Sequence, residues 1–205
     1  MTLVVGPDGA EKEFQIYRGI LCHHSKYFER MLNGGVKEAG SDKLRLAVVN
    51  VDAFRCFYCW ANTGVIDCTL GVENTTITEL WRTGLHAYLF SDSHRVAHFK
   101  NALLDYLFLS TLKHRELPVR FSIPLYRNTM KNDPLRRLMF DNAIQICDLE
   151  GIEAEGAEIY DKEFLLELVC GLRDKRTSST VPKYEELRAR HFCERYHDHS
   201  EHEAV

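Results

Sequence analysis

The end of the chain concentrates side chains able to bind a metal: His191, Cys193, His197, His199 and His202. Cys193 and His197 are four residues apart. On a helix that spacing puts a thiolate and an imidazole on one face, a usable zinc geometry. The segment is also polar and terminal, the composition of a solvated tail, so no metal is expected there. Cys56-Phe57-Tyr58-Cys59 has the C-x-x-C spacing. A redox pair needs its first thiol at a helix N-terminus, where the dipole lowers the pKa. Here the pair falls inside an aromatic-rich helix, and no second C-x-x-C completes a zinc site, so both read as core thiols. His94 and His98 stand one turn apart without a third ligand and read as a polar helix face. The sequence contains no G-x-S-x-G, G-x-x-x-x-G-K, H-E-x-x-H or G-x-G-x-x-G. Without these local signatures no catalytic residue or cofactor is expected, and the chain is read as a non-enzyme.

Composition narrows the remaining classes. At 205 residues the chain can bury a substantial core. Its apolar fraction of 45% and charged fraction of 27% are those of an ordinary globular protein. A net charge of −4 gives no general attraction to nucleic acid. No apolar run approaches the roughly 18 residues of a membrane span, and the N-terminus lacks the pattern of a secretory signal. The seven cysteines are scattered without framework spacing. Reduced thiols inside the cell, in cytoplasm or nucleus, are therefore expected, with the Asn74-Thr75-Thr76 sequon idle. Basic residues gather between Lys113 and Arg137 and acidic ones between Asp148 and Glu167, which suits the solvated faces of neighbouring helices.

The elements that would position these groups follow from pattern. Leu3–Val5 and Glu13–Tyr17 flank a Gly-Pro-Asp-Gly turn and predict a hairpin. Ser25 is placed to cap a helix carrying Phe28, Met31 and Leu32 inward, stopped by Asn33-Gly34-Gly35. Leu44, Leu46 and Val48 alternate as a half-buried strand does. Asn50 precedes a helix with Val51, Phe54, Phe57, Tyr58 and Ala61. Thr76-x-x-Glu79 has the capping-box pattern ahead of Trp81, Leu85 and Tyr88. Val96, Phe99, Leu103 and Leu107 mark a further helix. From about Lys113 onward the chain reads as almost wholly helical. Asp133-Pro134 starts one helix, Asp161 precedes a second, and Pro182 opens a last one with Tyr184, Leu187 and His191.

Two stretches carry a family likeness. Tyr17-Arg18-x-x-Leu21-x-x-x-Ser25-x-x-Phe28 and Phe54-x-x-Phe57-x-x-Trp60-x-x-Thr63-Gly64 occur in order and at suitable separation. Together they resemble the BTB/POZ domain, a protein–protein interaction module, over roughly residues 2–110. The likeness implies an α+β fold, a small mixed sheet flanked by a helical cluster, followed by an all-helical extension. Boundaries at 1–112 and 113–205 follow, the second part ending in the polar His-rich tail. Leu125–Thr129, Pro134–Met139 and Phe192-Cys193-x-x-Tyr196-His197-x-His199 look similar to segments that follow this domain in fungal proteins of the type. Leu21, Ser25, Phe28, Phe54, Phe57, Trp60 and Gly64 are its core signature: apolar filling, a helix cap, and a glycine for a turn of positive φ.

The resemblance also implies partners. One family surface is a homodimer face, for which Leu3, on an open strand edge, and Arg18, the basic residue of a charged pocket, are the candidates. That pocket's acidic residue, the usual N-terminal helix and an extra strand have no counterpart here, which counts against domain-swapped dimerisation of the family's kind. The other surface binds cullin scaffolds of ubiquitin ligases through an apolar residue, any residue, then Glu. Val36-Lys37-Glu38 fits that pattern. The expected function is a scaffold or oligomerisation module, with a ligase substrate adaptor as the alternative.

Overall fold

Gly6 and Gly9, both at positive φ, let the chain reverse between its first two strands. A side chain at Gly6 would also lie 2.7 Å from Cγ2 of Val51. The strands are β1 (Thr2–Val5) and β2 (Lys12–Gln15), paired antiparallel with Leu3 opposite Phe14. β3 (Lys43–Leu46) runs parallel to β1, and the order is β2-β1-β3. Lys43 bridges to Glu13 at 2.7 Å and Arg45 pairs with Asp8. This computed structural model describes residues 1–34, 43–69, 71, 73–145, 157–177 and 191–199.

The alternation read through Val48 stops short. Val49 N–H donates to the Leu46 carbonyl, turning the chain, so Val48 is 99% exposed and Val49 takes the buried place. A further helix precedes Ser25. The chain forms α1 (Arg18–His24), with Leu21 fully buried. Ser25 does three jobs. Its N–H ends α1 on the Leu21 carbonyl, its hydroxyl accepts from Phe28 N–H at the start of α2 (Lys26–Asn33), and the same hydroxyl donates to the His94 carbonyl at 2.6 Å.

Asn50 caps α3 (Val51–Thr63) through Ala53 N–H, and Gly64 closes it in the left-handed conformation. Thr76 and Glu79 exchange the reciprocal bonds of a capping box at the head of α4 (Ile77–Ser93). α5 (Ala97–His114) follows. Beyond it come α6 (Ser122–Asn128), α7 (Pro134–Gln145), α8 (Lys162–Thr177) and α9 (His191–Tyr196). Asp133 caps α7 by accepting from Leu135 N–H, with Pro134 at the first helical position where its missing N–H costs nothing. Asp161 accepts from Glu163 N–H at the head of α8. The helix expected from Pro182 falls outside the described residues up to His191.

The described residues gather into two compact units, one of Met1–Thr75 with Arg82–Leu103, the other of Thr76–Trp81 with Leu104–Ser200. The first is held by an aromatic chain. Phe54 meets Phe14, Phe57 and Phe90 at centroid distances of 4.9, 5.7 and 5.8 Å. Phe57 goes on to Phe99 at 5.4 Å, and Trp60 lies between Phe99 and His24. Phe28, Phe54, Phe57 and Phe99 have no exposed surface, so each contributes roughly 1.5–3 kcal/mol by burial.

The second unit is anchored by buried polar groups. Arg136, 7% exposed, stands over the Tyr126 ring at 4.3 Å and donates to the carbonyls of Tyr126 and Thr129, to the Thr129 hydroxyl and to Glu163. Asp141, 3% exposed, accepts two bonds from Arg195, at 2.8 and 3.0 Å, and one from the Tyr196 hydroxyl. Trp81 donates to Thr111 at 3.1 Å. α7 and α8 meet closely at Gly171, where a Cβ would stand 2.3 Å from Ile144 Cδ1.

Candidate protein-interaction site

In the first unit several large side chains remain at the surface. Tyr17 is 81% exposed and Val48 is 99% exposed. Tyr27, Arg30 and Met31 project from α2 and, with Ser93 at the end of α4 and Arg95 after it, line a cleft. Met31, expected inward, is half-exposed and belongs to this lining. The cleft combines an aromatic face, two guanidinium groups and a thioether. That chemistry suits an acidic or aromatic segment of another protein.

His94 underlies this region. It is not on a helix shared with His98, because α4 ends at Ser93 and α5 begins at Ala97. The polar-face reading of the pair is therefore corrected. His94 stacks on Phe90 at 4.3 Å and Phe28 at 5.4 Å, meets Tyr27 edge-on, and its Nδ1 lies 2.9 Å from the Phe90 carbonyl. Burial among these rings lowers its pKa, opposed by the Phe90 carbonyl.

The expected signature residues sort clearly. Leu21, Phe28, Phe54 and Phe57 are fully buried, Ser25 and Gly64 serve as caps, and Trp60 is half-buried. Leu3 differs from expectation: β1 is the central strand, so Leu3 sits on no open edge and its side chain is fully buried. The outer strands are β2 and β3. Arg18 donates to the Leu32 carbonyl and to Asn33 Oδ1, which ties it to the C-terminal end of α2, where a cation is favoured. Val36, Lys37 and Glu38 lie outside the described residues.

The cysteines of the C-x-x-C part company. Cys56 is fully buried with its sulfur 3.4 Å from that of Cys68, while Cys59 turns to Thr63. Hydrogen bonding to Cys56, followed by burial, raises the Cys68 pKa well above the usual thiol value, so Cys68 is not a poised nucleophile.

These elements match the family model of the BTB/POZ domain over residues 1–95. Residues 1–95 form a BTB/POZ domain. BTB/POZ domains are non-catalytic modules that mediate protein–protein interaction and scaffolding. In this chain the BTB/POZ domain has the expected α+β architecture, a mixed sheet with a helical cluster, and an all-helical extension follows it. No curated protein matches the chain. Among the described residues no helix is long and apolar enough to cross a membrane.

In the helical extension the structure draws together residues that sequence spacing only half connected. The ligand atoms of Cys193, His197 and His199 lie within 4.8 Å of one another. His202 is outside the described residues. Asp105, absent from the sequence reading of this cluster, contributes Oδ1 at 3.1 Å from His197 Nε2. No local signal joins Asp105 to a histidine so distant in the chain. Arg136 and Asp141 were likewise invisible as anchors, since a charged residue in an amphipathic helix reads as solvent-facing.

Proposed function

We propose that the chain is a non-catalytic adaptor or scaffold whose BTB/POZ domain, taken as 1–112, binds protein partners while the helical part, 113–205, adds a second recognition surface. The BTB/POZ match over residues 1–95 carries this reading. It is supported by the use of Phe28, Phe54 and Phe57 as interior filling rather than as walls of a reactive cleft. Tyr17, Val48 and the Tyr27–Arg30–Met31 cleft are the contact groups we favour. Self-association through an outer strand is one form of such scaffolding. Light scattering of the purified chain tests it: a mass of twice 23.8 kDa supports a homodimer, and a single-chain mass removes that reading.

A second reading is a substrate adaptor of a cullin-based ubiquitin ligase inside the cell, in a protein of the fungal type. Its support is the Val36-Lys37-Glu38 pattern that follows α2, the helix whose exposed side chains line the cleft. Affinity purification should recover a cullin with the unaltered chain and lose it when Val36→Asp and Glu38→Ala are combined. Equal recovery from both forms, or none from either, eliminates this reading.

A further inference from the structure

We propose that Cys193, His197 and His199 form a binding site for one divalent zinc ion, with the Asp105 carboxylate as a positioning group on His197. α9 supplies Cys193, and His197 follows its last residue. His197 N–H donates to the Cys193 carbonyl at 2.9 Å, so the helical turn continues through His197 and sets the two side chains on one face. Two residues later His199 folds back, placing Nε2 3.1 Å from Cys193 Sγ. Tetrahedral zinc with bonds of about 2.3 Å to sulfur and about 2.0 Å to nitrogen holds such atoms about 3.5 Å apart. Cys193 Sγ and His199 Nε2 already lie slightly inside that separation, and every pair of ligand atoms lies within 4.8 Å, so shifts of about 1 Å meet the geometry.

Two further features make the cluster a site rather than a loose tail. Asp105 accepts from His197 Nε2, which places that ring's lone pair on Nδ1. This carboxylate–imidazole pairing sets the tautomer and orientation that a metal ligand requires. The turn carrying Cys193 and His197 is also pinned along its length. Phe192 packs on Phe108 at 4.8 Å and on Tyr196 at 4.7 Å. Arg195 and the Tyr196 hydroxyl are both bonded to buried Asp141. The backbone that carries Cys193 and His197 is therefore fixed before an ion binds.

The donor set selects the metal. One thiolate and two imidazoles suit zinc, whereas magnesium and calcium require oxygen ligands. Three protein ligands leave a fourth position open to water or another donor. On binding, the Cys193 thiol gives its proton to solvent and the resulting thiolate bonds the ion, while both imidazoles bind as neutral bases. Cys193 and His199 are exposed, so the ion can reach them directly.

The test uses the full chain loaded with zinc sulfate, desalted and weighed by native mass spectrometry, with cobalt(II) as a spectroscopic substitute. One zinc per chain and a thiolate-to-cobalt charge-transfer band are expected. Cys193→Ser should lose both the zinc and the band, and His199→Ala should lose the zinc. His23→Ala and Cys170→Ser, altered at exposed positions elsewhere, should retain them, with circular dichroism confirming that each variant folds. Asp105→Asn should weaken zinc affinity by about 10–100-fold yet keep the cobalt–thiolate band at saturating metal. A zinc-free unaltered chain after loading, or zinc retained by both Cys193→Ser and His199→Ala, would overturn the site. Unchanged affinity in Asp105→Asn would remove the positioning role.

Discussion

The BTB/POZ unit and the helical unit solve the same packing problem with different chemistry. In the first, aromatic rings meet edge and face through α3, α4 and α5, and the buried polar side chains, Ser25, Thr83, Ser91 and Asn101, are all uncharged. In the second, two charged side chains, Arg136 and Asp141, are buried and join helices through directed hydrogen bonds. A ring contact tolerates another apolar shape at moderate cost. A guanidinium that serves two carbonyls, a hydroxyl and a carboxylate tolerates little, because its acceptors are left unpaired when it goes. The first unit is therefore specified mainly by volume and the second also by donor geometry.

The largest effect is expected from Phe57→Ala. Removing a fully buried ring that touches Phe54, Phe90, Phe99 and Trp60 should lower unfolding free energy by about 3–5 kcal/mol in urea titration. Phe57→Leu should recover most of that loss. If leucine is as damaging as alanine, volume is not what specifies this unit.

Arg136→Ala should cost about 2–4 kcal/mol, through the orphaned carbonyls of Tyr126 and Thr129. Its pairing with Glu163 adds little, since that carboxylate is 47% exposed and screened by water. Here the conservative change is the sharper probe. Arg136→Lys keeps the charge but not the fork, and should recover less than half of the loss. Full recovery by lysine would reduce the contrast between the two units to charge alone.

The smallest effect is a pH dependence confined to the BTB/POZ unit. Burial lowers the pKa of His94, and burial together with the neighbouring His23 lowers that of His24. The unfolded chain then binds more protons than the folded one as the solution becomes acidic. Stability from these groups is fully present above the ordinary imidazole value of about 6.5 and is lost as the pH falls below it. Melting temperature should drop between pH 7 and pH 5, and His94→Phe should shallow that drop. A flat profile in the unaltered chain would count against a neutral, buried His94.

Much of this architecture was legible residue by residue because it is local. Ser25, Asn50, Thr76 with Glu79, Asp133 and Asp161 each start a helix where their side chains can reach the orphaned N–H groups of its first turn. Gly64 closes α3 because a left-handed residue can do so without a Cβ penalty. Interruptions were harder to read. The pattern running through His94 and His98 conceals a break, since an aromatic pocket rather than a helix face claims His94. The candidate interaction surface was half legible. Arg18 is recognisable by type, but its bond to the end of α2 depends on a fold-back no window of sequence displays.

The amino-acid sequence alone determined the order of elements, their caps, the apolar residues that fill the BTB/POZ core and the absence of familiar catalytic signatures. These depend on contacts within a few residues or on side-chain type. Tertiary structure alone decided that β1 is central and Leu3 buried, that Cys56 turns to Cys68 rather than Cys59, and that Arg136 and Asp141 are interior anchors. It also brought Asp105 to His197, whose partnership with Cys193 and His199 turns a polar tail into a candidate metal centre. The pairings of Asp141 with Arg195, Arg136 with Glu163 and Asp105 with His197 join residues far apart in the chain. Their free energy is realised only once the chain has closed the intervening loops, so local pattern carries no trace of it.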